Sequence, residues 1–451
     1  MGDYVLKVND GKAAVATLLD LDAQFERLKK RGLDLQSRVK ARERGYFTPE
    51  EDEAAGHLYI SYIHTRNALL ESVMELHGSG ATENSPRAFL LCLGGAMLLV
   101  DAAIFLRDTF GDDKTIRDKL NEANPIFGIP AGTYDQIQKS LTSPTNNWHL
   151  HRARDEFNKR REELLHQAPE CKELHQRIEE LVRQHQTSLA AYLKERLEVR
   201  RSEAAKNLGQ NLLGGLVYNI QKSFASLMAE LSTQPNHVPG LSKDIDGAAR
   251  EILRPGDVII TRKEHVFTNY FLPGFWPHGA LNLGTTEELI DIGLSNLNNF
   301  PNHHKRIVDL HPEDPSRALE ALKDGVHLRT LSSPLGADSI VILRPKLSQK
   351  DIAFALDRAL QHDNKPYDFD FDFTRSDRLV CTEVVYRTYD GIADMRFKLT
   401  RRAGRMTLSA MDLIQMGLDN RHFDVVATHI PSKDTRLLIN QDAVEAVQEL
   451  S

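Results

Sequence analysis

Residues 377–391, DRLVCTEVVYRTYDG, decide how the second half of this chain is read. Leu379 and Val380 form a short apolar run into Cys381, and Thr382 to Tyr386 continue as a helix whose first turn holds the cysteine. A helix start presents unpaired N–H groups and the positive end of the macrodipole, and both favour a thiolate. A cysteine so placed is primed as a nucleophile. The alternative is a small buried hydrophobe, the usual state of a free cysteine.

A thiolate nucleophile needs a histidine to take and return a proton, and a third polar group to orient that histidine. Eighteen histidines compete. His278, in WPHGALNLG, stands at the start of a strand-like run beside small Gly279 and Ala280, which leave room for a substrate. An ordinary hydrogen-bonded histidine is the competing reading. Further strands are expected at 257–261, 278–283, 305–310 and 339–343, with helices over 348–362 and from Cys381.

Arg317 to Lys323 has helix propensity, but Asp324-Gly325 and the alternation of Val326, Leu328 and Thr330 favour a hairpin. On a strand Glu320 shares a face with Ala318 and Leu322, an inward carboxylate that needs a partner.

Three segments, in order, carry a resemblance: RPGDVIITRKEHVFTNYFLPGFWPHGALNLG (254–284), ALEALKDGVHLRTL (318–331) and KPYDFDFDFTRSDRLVCTEVVYRTYDG (365–391). Together they resemble the YiiX/YaeF-like family of permuted papain-like cysteine amidases, within the NlpC-like superfamily of thiol hydrolases. The family order is histidine, third polar residue, cysteine, the reverse of papain's. The resemblance implies His278 as general base and acid, Glu320 as orienting residue and Cys381 as nucleophile. It also implies Tyr367 as a substrate-binding residue, with packing as the alternative, and Glu383 as local support. Thr382 stands where the family more often has serine, and Asn282 where an aromatic residue is common. The alternating Asp368, Asp370 and Asp372 are read as a turn or strand with one solvated face, against a cation site.

The first half reads as helices. Leu18, Leu21, Phe25, Leu28, Leu35 and Val39 step by three or four, with one vacancy at Gly32. Thr48-Pro-Glu-Glu51 combines an N-cap, a first-turn proline and a capping glutamate, so a second helix starts there and ends near Gly78. The run at 89–106, FLLCLGGAMLLVDAAIFL, is marginal for a membrane span and contains Asp101, so a central bundle helix is expected. A loop is expected over 124–147. From 150 to 207 charges dominate and Pro169 separates two helices. Leu174, Ile178, Leu181, His185, Leu189 and Tyr192 give the second a coiled-coil-like stripe, which suggests an antiparallel hairpin or an oligomerising coil. Cys171 with His175 is only half a zinc site and is read as a solvated helix face; His303-His304 is read as a polar loop.

The 451 residues, 41% hydrophobic and 27% charged, suit a multidomain globular chain. A net charge of -7 gives no global reason to expect nucleic acid as partner. Three dispersed cysteines and a start, MGDYVLKVNDGK, without the pattern of a secretory signal point to a reducing, cytoplasmic setting. Leu6 stands where a myristoylation signal wants serine or threonine.

The expected fold is multidomain: an all-α helical half (1–231), a linker (232–247), an α+β permuted papain-like (NlpC-like) domain (248–430) and a C-terminal tail (431–451). The expected activity is a cysteine-dependent hydrolase that cleaves an amide or ester acyl linkage of a peptide or lipid substrate through an acyl-enzyme. No metal or other cofactor is needed, because cysteine and histidine complete the chemistry. The alternatives are an acyltransferase using the same pair, or a helical interaction module, homo-oligomeric or touching membrane peripherally, joined to an inactive enzyme-like domain.

Overall fold

The computed structural model describes residues 11–78, 85–124, 129–141, 144–185, 239–264, 275–311, 313–402 and 405–450. They divide into two compact units, one within 11–185 and one within 239–450.

The first unit is a helical bundle around helix Pro86–Phe110, which packs against helices Gly11–Arg38, Pro49–Gly78, Pro144–Gln167 and Lys172–Gln184. Close approach is built into its sequence. A Cβ on Gly94 would lie 2.8 Å from Leu174, and one on Gly95 would lie 2.3 Å from Val73, so only glycine lets these helices meet. This helix is long and apolar enough to cross a membrane, yet 72% of its most apolar window is buried. Asp101 is buried with it, bonded to Lys29 and, at 2.7 Å, to His185. The capping box at Thr48 forms as expected, with Glu51 N–H donating to the Thr48 hydroxyl at 3.3 Å and Thr48 N–H to the Glu51 carboxylate at 3.0 Å.

Two expectations for this unit are corrected. The segment 124–147 is not all loop: helix Thr133–Leu141 lies inside it and helix Pro144–Gln167 begins inside it. Cys171 and His175 are not solvated. They share the inward i, i+3, i+4, i+7 stripe with Leu174 and Ile178, and His175 Nε2 bonds the Arg161 carbonyl at 3.1 Å. Leu189, Tyr192 and the rest of the expected coiled-coil stripe beyond His185 lie outside the described residues, as does 232–238 of the linker.

The second unit is built on a seven-stranded antiparallel sheet. Its strands are β1 (Val258–Arg262), β2 (His278–Gly284), β3 (Arg317–Leu322), β4 (Gly325–Thr330), β5 (Ser339–Pro345), β8 (Phe423–His429) and β9 (Leu438–Ile439); β6 (Thr400–Arg402) and β7 (Arg405–Thr407) form a separate ribbon. The sheet order is β4-β3-β2-β1-β5-β8-β9. Alternation divides its faces: Val258, Ile260, Leu281, Leu319 and Val341 face the larger core, which includes helices Gln349–Leu360 and Cys381–Tyr389. Ile259, Ile340, Ile342 and Ala427 face Ala249 and Leu253.

The hairpin reading of 317–330 is what the structure shows, with Leu322 opposite Gly325. Gly325 takes φ +107°, and a Cβ there would meet the Lys365 carbonyl oxygen at 2.6 Å. The 305–310 segment is not a strand. Residues 305–309 lie in helix Phe300–Asp309, opened by Pro301 and anchored by buried Phe300 and Ile307, so His303 and His304 are helical and not in a loop. Helix Lys243–Ile252 starts within the expected linker and buries Ile245 and Ala249. Residues 431–450 are not a tail: β9 pairs with β8, and helix Asn440–Gln448 buries Ala443 and Val447.

Candidate active site

β2 and β3 pair with Ala280 opposite Glu320, so His278, two residues before Ala280, projects to the same face as Glu320 on a diagonal. His278 Nε2 lies 2.8 Å from Glu320 Oε1. The carboxylate is 1% exposed and needs every acceptor position satisfied. Its Oε2 accepts from the Ser333 hydroxyl and lies 3.5 Å from Arg329 Nε. Arg329 reaches it because β4 places Arg329 opposite Ala318, on the face of Glu320.

Cys381 is the first residue of helix Cys381–Tyr389, which packs against β2 and β3. The strand-like approach to it is fixed by Asp368 N–H donating to the Leu379 carbonyl at 3.2 Å and Leu379 N–H to the Pro366 carbonyl at 3.0 Å. The helix is tied down at its far end, where the buried Tyr389 hydroxyl donates to the Gly256 carbonyl and Arg358 Nε to the Thr388 carbonyl at 3.1 Å. The thiol is 3% exposed, and the His278 ring and the main-chain N–H groups of Gly279 and Thr382 are the neighbours that favour its ionised form. Glu320 occupies Nε2 of His278, which leaves Nδ1 for the sulfur.

The charges reinforce one another. Burial works against a charged His278 ring, but the neighbouring Cys381 sulfur and the Glu320 carboxylate outweigh it and raise the ring to about 9. Burial likewise opposes ionisation of Glu320, and the His278 bond and charge bring the carboxyl down to about 2. For Cys381 burial is again overcome, by His278 and the two main-chain donors, and the thiol falls below its ordinary value. The direction common to all three is a thiolate–imidazolium pair beside a carboxylate.

The other expected residues fall as follows. Tyr367 is half-buried, forms a parallel bridge with Leu379 and packs on Phe369 and Phe371, with ring centroids 4.9 and 6.2 Å away. Asp368 is no member of a solvated face: it is fully buried and accepts N–H bonds from Asp370 at 3.1 Å and Asp372 at 2.6 Å, shaping the turn before Cys381. No group of three metal-ligating side chains occurs among the described residues. Glu383 is buried in the first turn of the cysteine helix and pairs with Arg387 at 2.6 Å. Asn282 takes polar work in place of an aromatic ring, donating to the Arg254 carbonyl at 2.7 Å and accepting from Gly284 N–H at 3.2 Å. Ser333 and Arg329 were not singled out from sequence. Strand alternation could have found Arg329; Ser333 arrives from the short helix Ser332–Leu335 and leaves no periodic signal.

Residues 252–438 match the model of a family described as permuted papain-like amidase enzyme, YaeF/YiiX, C92 family. No curated protein and no solved structure matches the chain.

Proposed function

We propose, from the match of residues 252–438 to the permuted papain-like amidase family, that the chain is a thiol hydrolase of amide or ester acyl linkages with Cys381, His278 and Glu320 as its catalytic set. The single observation that carries the reading is Cys381 at a helix start, beside a histidine that favours its thiolate and whose Nε2 is held by a buried carboxylate.

The Cys381 thiolate attacks the acyl carbon, and the carbonyl π-electrons move to oxygen. Main-chain N–H groups of the first helical turn stabilise that oxyanion. The C–N or C–O bond then breaks as the His278 imidazolium gives its Nδ1 proton to the departing amine or alcohol. A thioester on Cys381 remains. His278, now neutral, takes a proton from water while the oxygen attacks the thioester, and Cys381 leaves as thiolate, restoring the pair. Glu320 keeps the imidazole oriented and stabilises its charged form. Tyr367, half-buried and bridged to Leu379 just before Cys381, is the residue proposed to line the approach of the acyl group. Three unpaired cysteines suit a reducing compartment.

Intact-mass analysis of the full chain with p-nitrophenyl esters and acyl anilides tests this. A transient acyl adduct on Cys381, absent from Cys381→Ala, is the expected result. Transfer of the acyl group to added amine in preference to water would make the enzyme an acyltransferase. Ester turnover retained by Cys381→Ala would overturn the reading.

A further inference from the structure

The helical unit holds a half-open pocket of about 390 Å³. That is within the size of ordinary small-molecule sites, roughly 300–1,000 Å³. Its wall is mainly apolar, with Phe25, Leu28 and Leu35 of helix Gly11–Arg38, Leu58 of helix Pro49–Gly78, and Phe105 and Phe110 of helix Pro86–Phe110. Water in such a space finds few partners, and an apolar body displaces it favourably.

The charged residues of the lining are one-sided: Lys29, Lys40, Arg42 and Lys119 against Glu43 alone. Three of these cations already have carboxylates, Lys29 with Glu26 at 2.8 Å, Lys119 with Glu122 at 2.7 Å and Arg42 with Asp113 at 3.4 Å. Lys40 is exposed and has no ion pair among the described residues. Tyr59 and Tyr62, also in the lining, are buried with parallel rings 6.2 Å apart, and neither hydroxyl has a hydrogen-bond partner among the described residues. Burial pushes the pKa of both hydroxyls up, so they stay protonated and remain donors. An apolar interior, a surplus cation and unused donors describe one ligand class.

We propose that the helical unit binds a single-chain amphiphile with an anionic head, a long-chain carboxylate, with the chain among the Phe and Leu side chains and the head toward Lys40. The site is independent of Cys381 and of the hydrolase reading.

The test uses the full chain and three probes of equal chain length: laurate, dodecanol and dodecyltrimethylammonium, each below its micelle concentration, titrated against bound dansyl-undecanoate fluorescence. Laurate is expected to displace the reporter saturably, dodecanol more weakly and the cation least. Lys40→Glu, an exposed change, should weaken laurate about fivefold, the scale of one partly screened charge pair, and leave dodecanol unchanged. Ala55→Phe, at a half-buried lining position, should weaken all three probes while circular dichroism and the melting transition match wild type. Cys381→Ala should bind as wild type does. Absence of saturable laurate binding, a preference for the cation, or laurate affinity unchanged in both Lys40→Glu and a folded Ala55→Phe would overturn the proposal.

Discussion

His278 Nε2 and Glu320 Oε1 lie 2.8 Å apart on neighbouring antiparallel strands, and the same carboxylate is held from its other side by Ser333 and Arg329. The histidine is therefore oriented by a group that is itself fixed, as a positioned base requires. Glu320→Gln keeps the shape and removes the charge. It should lower kcat/KM for an activated ester about tenfold to a hundredfold and shift the basic limb of the pH profile to lower pH, because the imidazolium loses its carboxylate. Steady-state kinetics across pH checks both, and a purely structural role would leave the limb in place.

Departure of the leaving group needs protonated His278, whose pKa is raised to about 9 by Cys381 and Glu320 against the cost of burial. Activity should be present near neutral pH and fall as pH rises through about 9, while the acid limb lies below the ordinary thiol range because the Cys381 pKa is lowered. An initial-rate series with one activated ester measures the two limbs as properties of the pair.

The three cysteines should separate cleanly. Burial pushes Cys92 up to about 12 and Cys171 up to about 11, whereas Cys381 is lowered. Brief iodoacetamide treatment of the native protein near neutral pH should label Cys381 at least about a hundredfold faster than the other two. Peptide mass spectrometry reads this directly.

Arg317 is 2% exposed and donates to the main-chain carbonyl of Ile307 at 2.6 Å and to that of Asp314. It thus ties helix Phe300–Asp309 to β3, the strand carrying Glu320. Arg317→Met leaves those carbonyls unpaired and should cost about 3 kcal/mol of stability, seen as a lower denaturant midpoint with an unchanged slope.

Local periodicity made much of this legible. Alternation in 326–330 with Asp324-Gly325 located the hairpin that carries Glu320 on β3. The capping box at Thr48 and the apolar run into Cys381 were equally readable. The misreadings share a cause, competition between signals of similar length. In 305–310 a short apolar run outweighed Pro301, the helix opener four residues earlier. In 124–147 the turn residues around Gly132 hid the nine-residue helix Thr133–Leu141. Ser333 was illegible because it reaches Glu320 through tertiary placement alone.

The central claim is that Cys381 and His278 form an activated pair, and the alkylation rate of Cys381 in wild type against His278→Ala tests it most directly. The account predicts rapid, selective labelling of Cys381 in wild type and a loss of about a hundredfold in His278→Ala at neutral pH, with Cys92 and Cys171 unchanged. Equal rates in the two proteins, or wild-type labelling of Cys381 no faster than that of Cys92, would contradict it.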